Sequence, residues 1–205
     1  MSKKLAIVGA SGHGKVIADI AGKNGYSDIV FLDDNAVGNC VSGHFVAGKV
    51  SDAPAYRDRA FIVAIGNAKI RQRIQEALTS EGLQMATLIH PNAVIGDQVT
   101  LGEGTVVMAG AVINPCCKIG KGCIINTCAS VDHDCVLEDY VHISVGAHVA
   151  GTVSIGERTW LGIGACISNN LSITSDCLIG AGAVVVSDLE VPDTYIGVPA
   201  KRMQR

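Results

Sequence analysis

The sequence predicts an α/β domain, a Rossmann-like βαβ unit, followed by an all-β domain in the form of a parallel β-helix. Two observations carry this. The first is that every sixth residue from Ile89 to Val191 is Ile, Leu or Val, eighteen positions without an exception. About a quarter of the chain is Ile, Leu or Val, so chance would produce such a run with a probability on the order of 10⁻¹⁰. A period of six fits neither an α-helix nor an ordinary strand. It is the register of a hexapeptide β-helix, whose short strands stack as coils around one aliphatic core. The second observation is that, ahead of this run, short apolar strands alternate with amphipathic helices, the pattern of a small parallel sheet.

Composition agrees with two units. The 205 residues suffice for a small domain over 1–85, a β-helix over 86–191 and a tail over 192–205. Aromatics make up 4% and Gly numbers 24, which suits a narrow interior of branched aliphatics with glycine at tight corners. The net charge of -3 gives no reason to expect nucleic acid or a membrane surface. No apolar run approaches the roughly 20 residues of a spanning helix. Met-Ser-Lys-Lys-Leu opens directly into a strand, so a cytoplasmic protein is expected, either free or as the soluble part of a membrane-attached chain, with no direct membrane insertion. Of the eight Cys, Cys117, Cys123, Cys135 and Cys177 fall four residues after a ladder aliphatic, in a slot that elsewhere mostly holds Ala, Val or Thr. They read as small buried hydrophobes. No CxxC pair suggests zinc.

In chain order, Lys4 to Val8 form a strand, and Gly9-Ala10-Ser11-Gly12-His13-Gly14 turns into a helix with Val16, Ile17, Ile20 and Ala21 on its inner stripe. A second strand, Asp28 to Leu32, ends at Asp33 and Asp34. Glycines in the first turn let a ligand approach the backbone, and the helix start offers free N–H groups to phosphate. The spacing GxxGxG departs from the dinucleotide fingerprint, and a turn that binds nothing is the alternative. His13 lies among small residues, where a donor above a diphosphate has a use. Asp33 and Asp34 stand where such folds put a carboxylate on a ribose hydroxyl, or are solvated loop carboxylates. Residues 37–59 read as a loop or weak strand. Phe61 to Ile65 is a strand ending in Gly66-Asn67, and the next helix points Ile70, Ile74, Ala77 and Leu78 inward and Lys69, Arg71, Arg73 and Glu76 outward. Met85 to Ile89 is a further strand. Beyond Val191 the tail is expected to cover the open edge of the last coil.

Taken together, Gly9 to Gly14, Phe31-Leu-Asp-Asp34, Ala64-Ile-Gly-Asn67, the repeats, Asn126 to Cys135, Val141 to Gly146 and Gly197-Val-Pro-Ala-Lys201 resemble a known family. It is that of the bacterial left-handed β-helix sugar acetyltransferases acting on nucleotide-activated amino sugars or sialic acid. The chain is most similar to enzymes that N-acetylate a UDP-linked 4-amino-4,6-dideoxy sugar for bacillosamine-type glycans. The resemblance implies three sides per coil, a homotrimer with active sites between neighbouring prisms, acetyl-CoA as co-substrate and no metal. It implies substrate contacts at Ser11, Gly12, His13, Asp33, Asp34, Gly66 and Asn67. With eighteen residues per coil, Gly151 stacks over His133, while Ser144, Gly162 and Gly180 form a column along which a pantetheine arm could lie.

An amine attacking a thioester must lose a proton, and a neutral imidazole is matched to accept it. His133 is the candidate base, with Asp134 or Asp132 to orient it. By resemblance, His142 lies near the thioester, where it or the Gly151 N–H would stabilise the oxyanion. Three other readings accompany this one: O-acetylation of sialic acid, zinc-dependent carbon dioxide hydration through the three His within 133–148, and a non-enzymatic nucleotide-sugar scaffold. His44 and His148 receive no role.

Overall fold

The computed structural model describes residues 2–204. Two compact units result, Met1–Pro91 and Asn92–Arg205. The first runs past residue 85 because Met85 still bridges Phe61, and Asn24 brackets Ile89 with hydrogen bonds to both its carbonyl and its amide.

In the first unit, β1 (Lys3–Val8) leads into α1 (Gly12–Lys23) and β2 (Tyr26–Leu32). Next come β3 (Cys40–Val41), β4 (His44–Gly48), β5 (Ala60–Val63), α2 (Ala68–Ser80) and β6 (Leu88–Ile89). The sheet order is β3-β4-β2-β1-β5, with β1 parallel to both β2 and β5. Residues 37–59 are more regular than their sequence suggests: they supply two sheet strands and a 3-10 segment, Val50–Tyr56. The signal was weak because in β4 Val46 is buried whereas Phe45 is exposed. The core gathers Val8, Leu32, Phe61, Val63, Leu78 and Leu83.

Both helices are rotated from the expected stripes. In α1 Ala18 is buried and Val16 exposed. In α2 Arg71 is 1% exposed and Gln75 is buried, while Ile70 is 40% exposed. Asn67 caps this helix by accepting from the Ile70 N–H, and Arg71, Gln75 and Leu78 then share the inner face. A guanidinium can be buried only if its donors are satisfied. Here Nη1 donates to the Ile65 and Gly66 carbonyls, acceptors that hydropathy does not reveal.

The second unit is a left-handed β-helix of three parallel sheets. The first face stacks Val94–Ile95, Val112–Ile113, Ser130–Val131, His148–Val149, Cys166–Ile167 and Val184–Val185. A second stacks Thr100–Leu101 through Ser172–Ile173, and a third includes Val106–Val107, Ile124–Ile125, His142–Ile143, Trp160–Leu161 and Leu178–Ile179. Partners are eighteen residues apart, as in Ile124 with His142 and His142 with Trp160. From Val107 to Val185 every ladder residue is buried, each contributing roughly 1.5–3 kcal/mol of hydrophobic burial. Three residues after each ladder position from Ile95 to Ile179, the chain adopts positive φ, in some turns at Gly and in others at residues such as Cys128 (φ 56) and Asp134 (φ 59).

The small slot also holds its turn. Thr105 and Thr159 hydroxyls and the Cys117, Cys123 and Cys135 thiols each donate to the carbonyl fifteen residues on. Burial raises the Cys135 thiol to about 11 and pushes Cys117 and Cys177 up, so these are inert packing residues. The ladder ends before its predicted last rung. Leu189 pairs with Ile173 and is buried, while Val191 is 44% exposed. The Asp188 carboxylate accepts the Ser172 N–H, drawing the chain across two residues early. Thr194–Ile196 then adds in parallel to Leu178–Ile179, and Lys201–Arg202 pairs antiparallel with it, covering that edge.

Candidate active site

The corner after the strand Ser130–Val131 presents His133 and Asp134. Positive φ at Asp134, a conformation Asp tolerates better than most residues, turns its carboxylate back so that Oδ2 lies 2.7 Å from His133 Nδ1. Asp132 is engaged elsewhere: its Oδ1 accepts the His133 backbone N–H at 2.8 Å and the Asn114 amide at 2.7 Å. Asp134 therefore orients the ring, and Asp132 fixes the backbone beneath it. The Asp134 hydrogen bond, reinforced by the charge of Asp132, raises the His133 pKa above the ordinary 6.5. With Nδ1 tied to the carboxylate, Nε2 is the ring nitrogen that Asp134 leaves unengaged.

Gly151 sits over this ring. A Cβ there would fall 2.7 Å from both Cε1 and Nε2 of His133. Its N–H has no acceptor among the described residues. In the coil below, Asp132 takes the corresponding amide of His133, whereas Ala150 offers Gly151 no acceptor.

A second cluster stands on the third face. His142 is 8% exposed and stacks on Trp160, with ring centroids 5.5 Å apart and planes 2° from parallel. The indole N–H donates to Ser144 Oγ at 2.6 Å. Asn126 Oδ1 accepts the Thr127 N–H, so its amino group faces His142 Nε2 at 3.2 Å. That nitrogen must accept, which assigns the His142 proton to Nδ1. Ser144 is buried under this arrangement rather than lining an open trough. Gly162 and Gly180 have a structural reason as well: a Cβ at 162 would lie 2.7 Å from the Ala181 nitrogen, and one at 180 would lie 2.8 Å from the Ile196 side chain.

Asn126 and Trp160 received no role from the sequence. The stacking rule that put Gly151 over His133 would have found Trp160, eighteen residues beyond His142, and Asn126, eighteen before Ser144. His148 accepts from or donates to Ser130 Oγ at 2.8 Å on the first face. Among the described residues no three His, Cys, Asp or Glu side chains converge as a metal site would require.

In the first unit, the Gly9 to Gly14 turn and the Ala64 to Asn67 loop leave the C-terminal ends of the neighbouring strands β1 and β5. That is the crevice where open α/β sheets bind ligands. Ser11 caps α1 without a side-chain bond and no acid occupies the first turn. A Cβ at Gly14 would be 2.2 Å from the Gly9 carbonyl oxygen, so this glycine is dictated by packing, whereas Gly12 and Gly66 face open space. His13 is more enclosed than its small neighbours suggest: Nε2 is buried with no hydrogen-bond partner, and burial together with the Arg71 charge lowers its pKa to about 4. Asp33 binds the Ala10 and Asn35 amides through its two oxygens, and Asp34 binds the Val50 amide through Oδ1 alone. The loop reading thus describes Asp33, while Asp34 keeps Oδ2 uncommitted. Asn67 spends its carbonyl on the α2 cap.

Comparison with known proteins supplies the family. Residues 4–78 match the PglD N-terminal domain. The acetyltransferase domain of PglB from Neisseria gonorrhoeae FA1090, solved in complex with acetyl coenzyme A, is 41% identical over 99% of this chain and 100% of that one, with a TM-score of 0.95. A mutant of perosamine N-acetyltransferase from Caulobacter crescentus, in complex with CoA and GDP-perosamine, is 37% identical over 98% of this chain and 97% of that one, also with a TM-score of 0.95. UDP-N-acetylbacillosamine N-acetyltransferase from Bacillus subtilis is 35% identical over 112 residues, 52% of each protein, so the chain spans about half the length of this curated relative. With its fold, its His-Asp corner and a match along nearly its whole length, the chain belongs to the hexapeptide-repeat sugar N-acetyltransferase family.

Proposed function

We propose that the protein transfers the acetyl group of acetyl-CoA to the amine of a nucleotide-linked amino sugar, the 4-amine of a UDP-linked amino-deoxy sugar in bacillosamine-type glycan synthesis. The observation that carries this is the slot above His133, where Asp134 orients the ring and Gly151 leaves Nε2 accessible. His133 Nε2 takes the proton of the amine as its nitrogen bonds to the thioester carbonyl carbon. Asp134 stabilises the resulting imidazolium. The oxyanion is met by the Gly151 N–H, while His142, whose Nδ1 is buried, shapes the surroundings of the thioester. Collapse breaks the carbon–sulfur bond, and the thiolate recovers a proton from His133. No acyl-enzyme is needed, so Cys128→Ala retains full turnover.

His133 and His142 occupy different faces of the prism, which supports a homotrimer whose sites draw on neighbouring copies. Gly162 and Gly180 would border the pantetheine arm along the coil corners, with the buried Ser144 anchoring Trp160. Ser11, Gly12, His13, Asp34, Gly66 and Asn67 would hold the nucleotide diphosphate and ribose, with Asp33 shaping their loop. The similar proteins named for UDP and GDP sugars leave the base as the variable part. The test is thiol release from acetyl-CoA across UDP- and GDP-linked 4-amino sugars, with sialic acid as the hydroxyl control. Turnover confined to sialic acid, or none with any acceptor, overturns the proposal.

A further inference from the structure

Arg71 is enclosed in the first unit, directly behind the loop that carries Gly66 and Asn67. It is 1% exposed, and its Nη1 donates to the Ile65 and Gly66 carbonyls, each at 2.8 Å. In a planar trans peptide the N–H points opposite to the C=O. Drawing these two carbonyls toward the guanidinium therefore turns the Gly66 and Asn67 N–H groups to the other side. Both residues are exposed, and neither amide has an acceptor among the described residues. Consecutive amides facing one way form an anion-receiving concavity, and a fixed positive charge behind it deepens the potential.

The Gly9 turn lies alongside. A Cβ at Gly9 would be 2.9 Å from the Ala64 carbonyl oxygen and 3.2 Å from the Ile65 side chain, so nothing separates the two loops. The Arg71 charge also reaches His13, whose Nε2 is buried without a partner. One cation thus stands behind both walls of the crevice.

We infer that Arg71 is a positioning residue for the nucleotide diphosphate: its guanidinium holds the Ile65 and Gly66 carbonyls inward so that the Gly66 and Asn67 amides stand ready for a phosphate oxygen. This rests on the nucleotide-sugar reading above. It assigns binding of the phosphates, not of the base or ribose, to a residue that touches neither.

Calorimetry with UDP and GDP, and with uridine and guanosine as phosphate-free controls, tests it. Arg71→Gln should weaken the better-bound diphosphate about tenfold while leaving its nucleoside within about twofold. Arg71→Lys should fall between, because an ammonium keeps the charge but lacks the planar, five-donor head that the enclosed guanidinium presents. An unchanged diphosphate affinity, or equal losses for diphosphate and nucleoside, overturns the inference and leaves the nucleotide-sugar reading intact. A wild type that binds neither diphosphate overturns both. Should the glutamine variant not fold, amide NMR of the wild type decides: the Gly66 and Asn67 resonances shift with the diphosphate and not with the nucleoside, and their failure to move overturns the inference.

Discussion

Asp134 and Gly151 show how backbone geometry shapes a single imidazole. The left-handed turn at Asp134 returns its carboxylate to Nδ1, and the missing Cβ at 151 exposes Nε2. Gly151→Ala places a methyl group 2.7 Å from that nitrogen, so kcat/KM should drop about 100-fold while the circular dichroism spectrum and Tm stay near wild type. The pH profile follows from the raised His133 pKa. In the proposed mechanism the base must be neutral, so kcat/KM is expected to fall as pH drops through a value above 6.5. Asp134→Asn removes the hydrogen bond that raises it most, and the acid limb should move to lower pH with a smaller plateau; an unmoved limb would assign the titration to another group. His133→Ala with full turnover would end the assignment altogether.

Along the third face, stacking of identical positions in successive coils joins His142, Trp160, Ser144 and Asn126 into one hydrogen-bonded and aromatic unit. Trp160 is the sole tryptophan, and its indole bond to Ser144 keeps its plane against the imidazole. Trp160→Ala should lower kcat about tenfold through loss of the stack and its fixed ring orientation, with Trp160→Phe intermediate. Steady-state kinetics on folded variants measures both. The same repeat makes register a catalytic matter. One residue inserted between Asp134 and Gly151 shifts the coil above His133 and should abolish transfer even in chains that fold, as judged by far-ultraviolet circular dichroism.

For the whole molecule, the two His clusters on different faces predict subunit complementation. His133→Ala and His142→Ala variants, each impaired alone, should regain activity when unfolded and refolded together, and no recovery would argue for sites within single chains. The first unit carries its own pH signature. His13 titrates at about 4 when folded against 6.5 unfolded, so the unfolded state binds the proton first. The associated stability is complete above about pH 6.5 and is lost as pH falls through about 4, a change of up to roughly 3 kcal/mol that urea titrations at several pH values would record. His13→Gln should flatten that dependence. The β-helix was legible in the bare sequence because an unbroken six-residue period of aliphatics fits stacked coils; the eighteen-residue coil, and with it the Gly151–His133 superposition, followed from the family resemblance, and the folded chain has both. Tertiary structure alone decided the rest. Hydropathy assigned Arg71 to the surface, since acceptor carbonyls in a loop five and six residues away carry no sequence signal. It left Asp132 and Asp134 equivalent, since a carboxylate's partner depends on the φ of its own turn. It also ran the ladder on to Val191, where the Asp188 carboxylate and the Leu189 backbone pair with Ser172 and Thr174 and cut the last coil short. Periodic burial repeats and can be read from spacing; hydrogen-bond direction is local and needs the folded backbone.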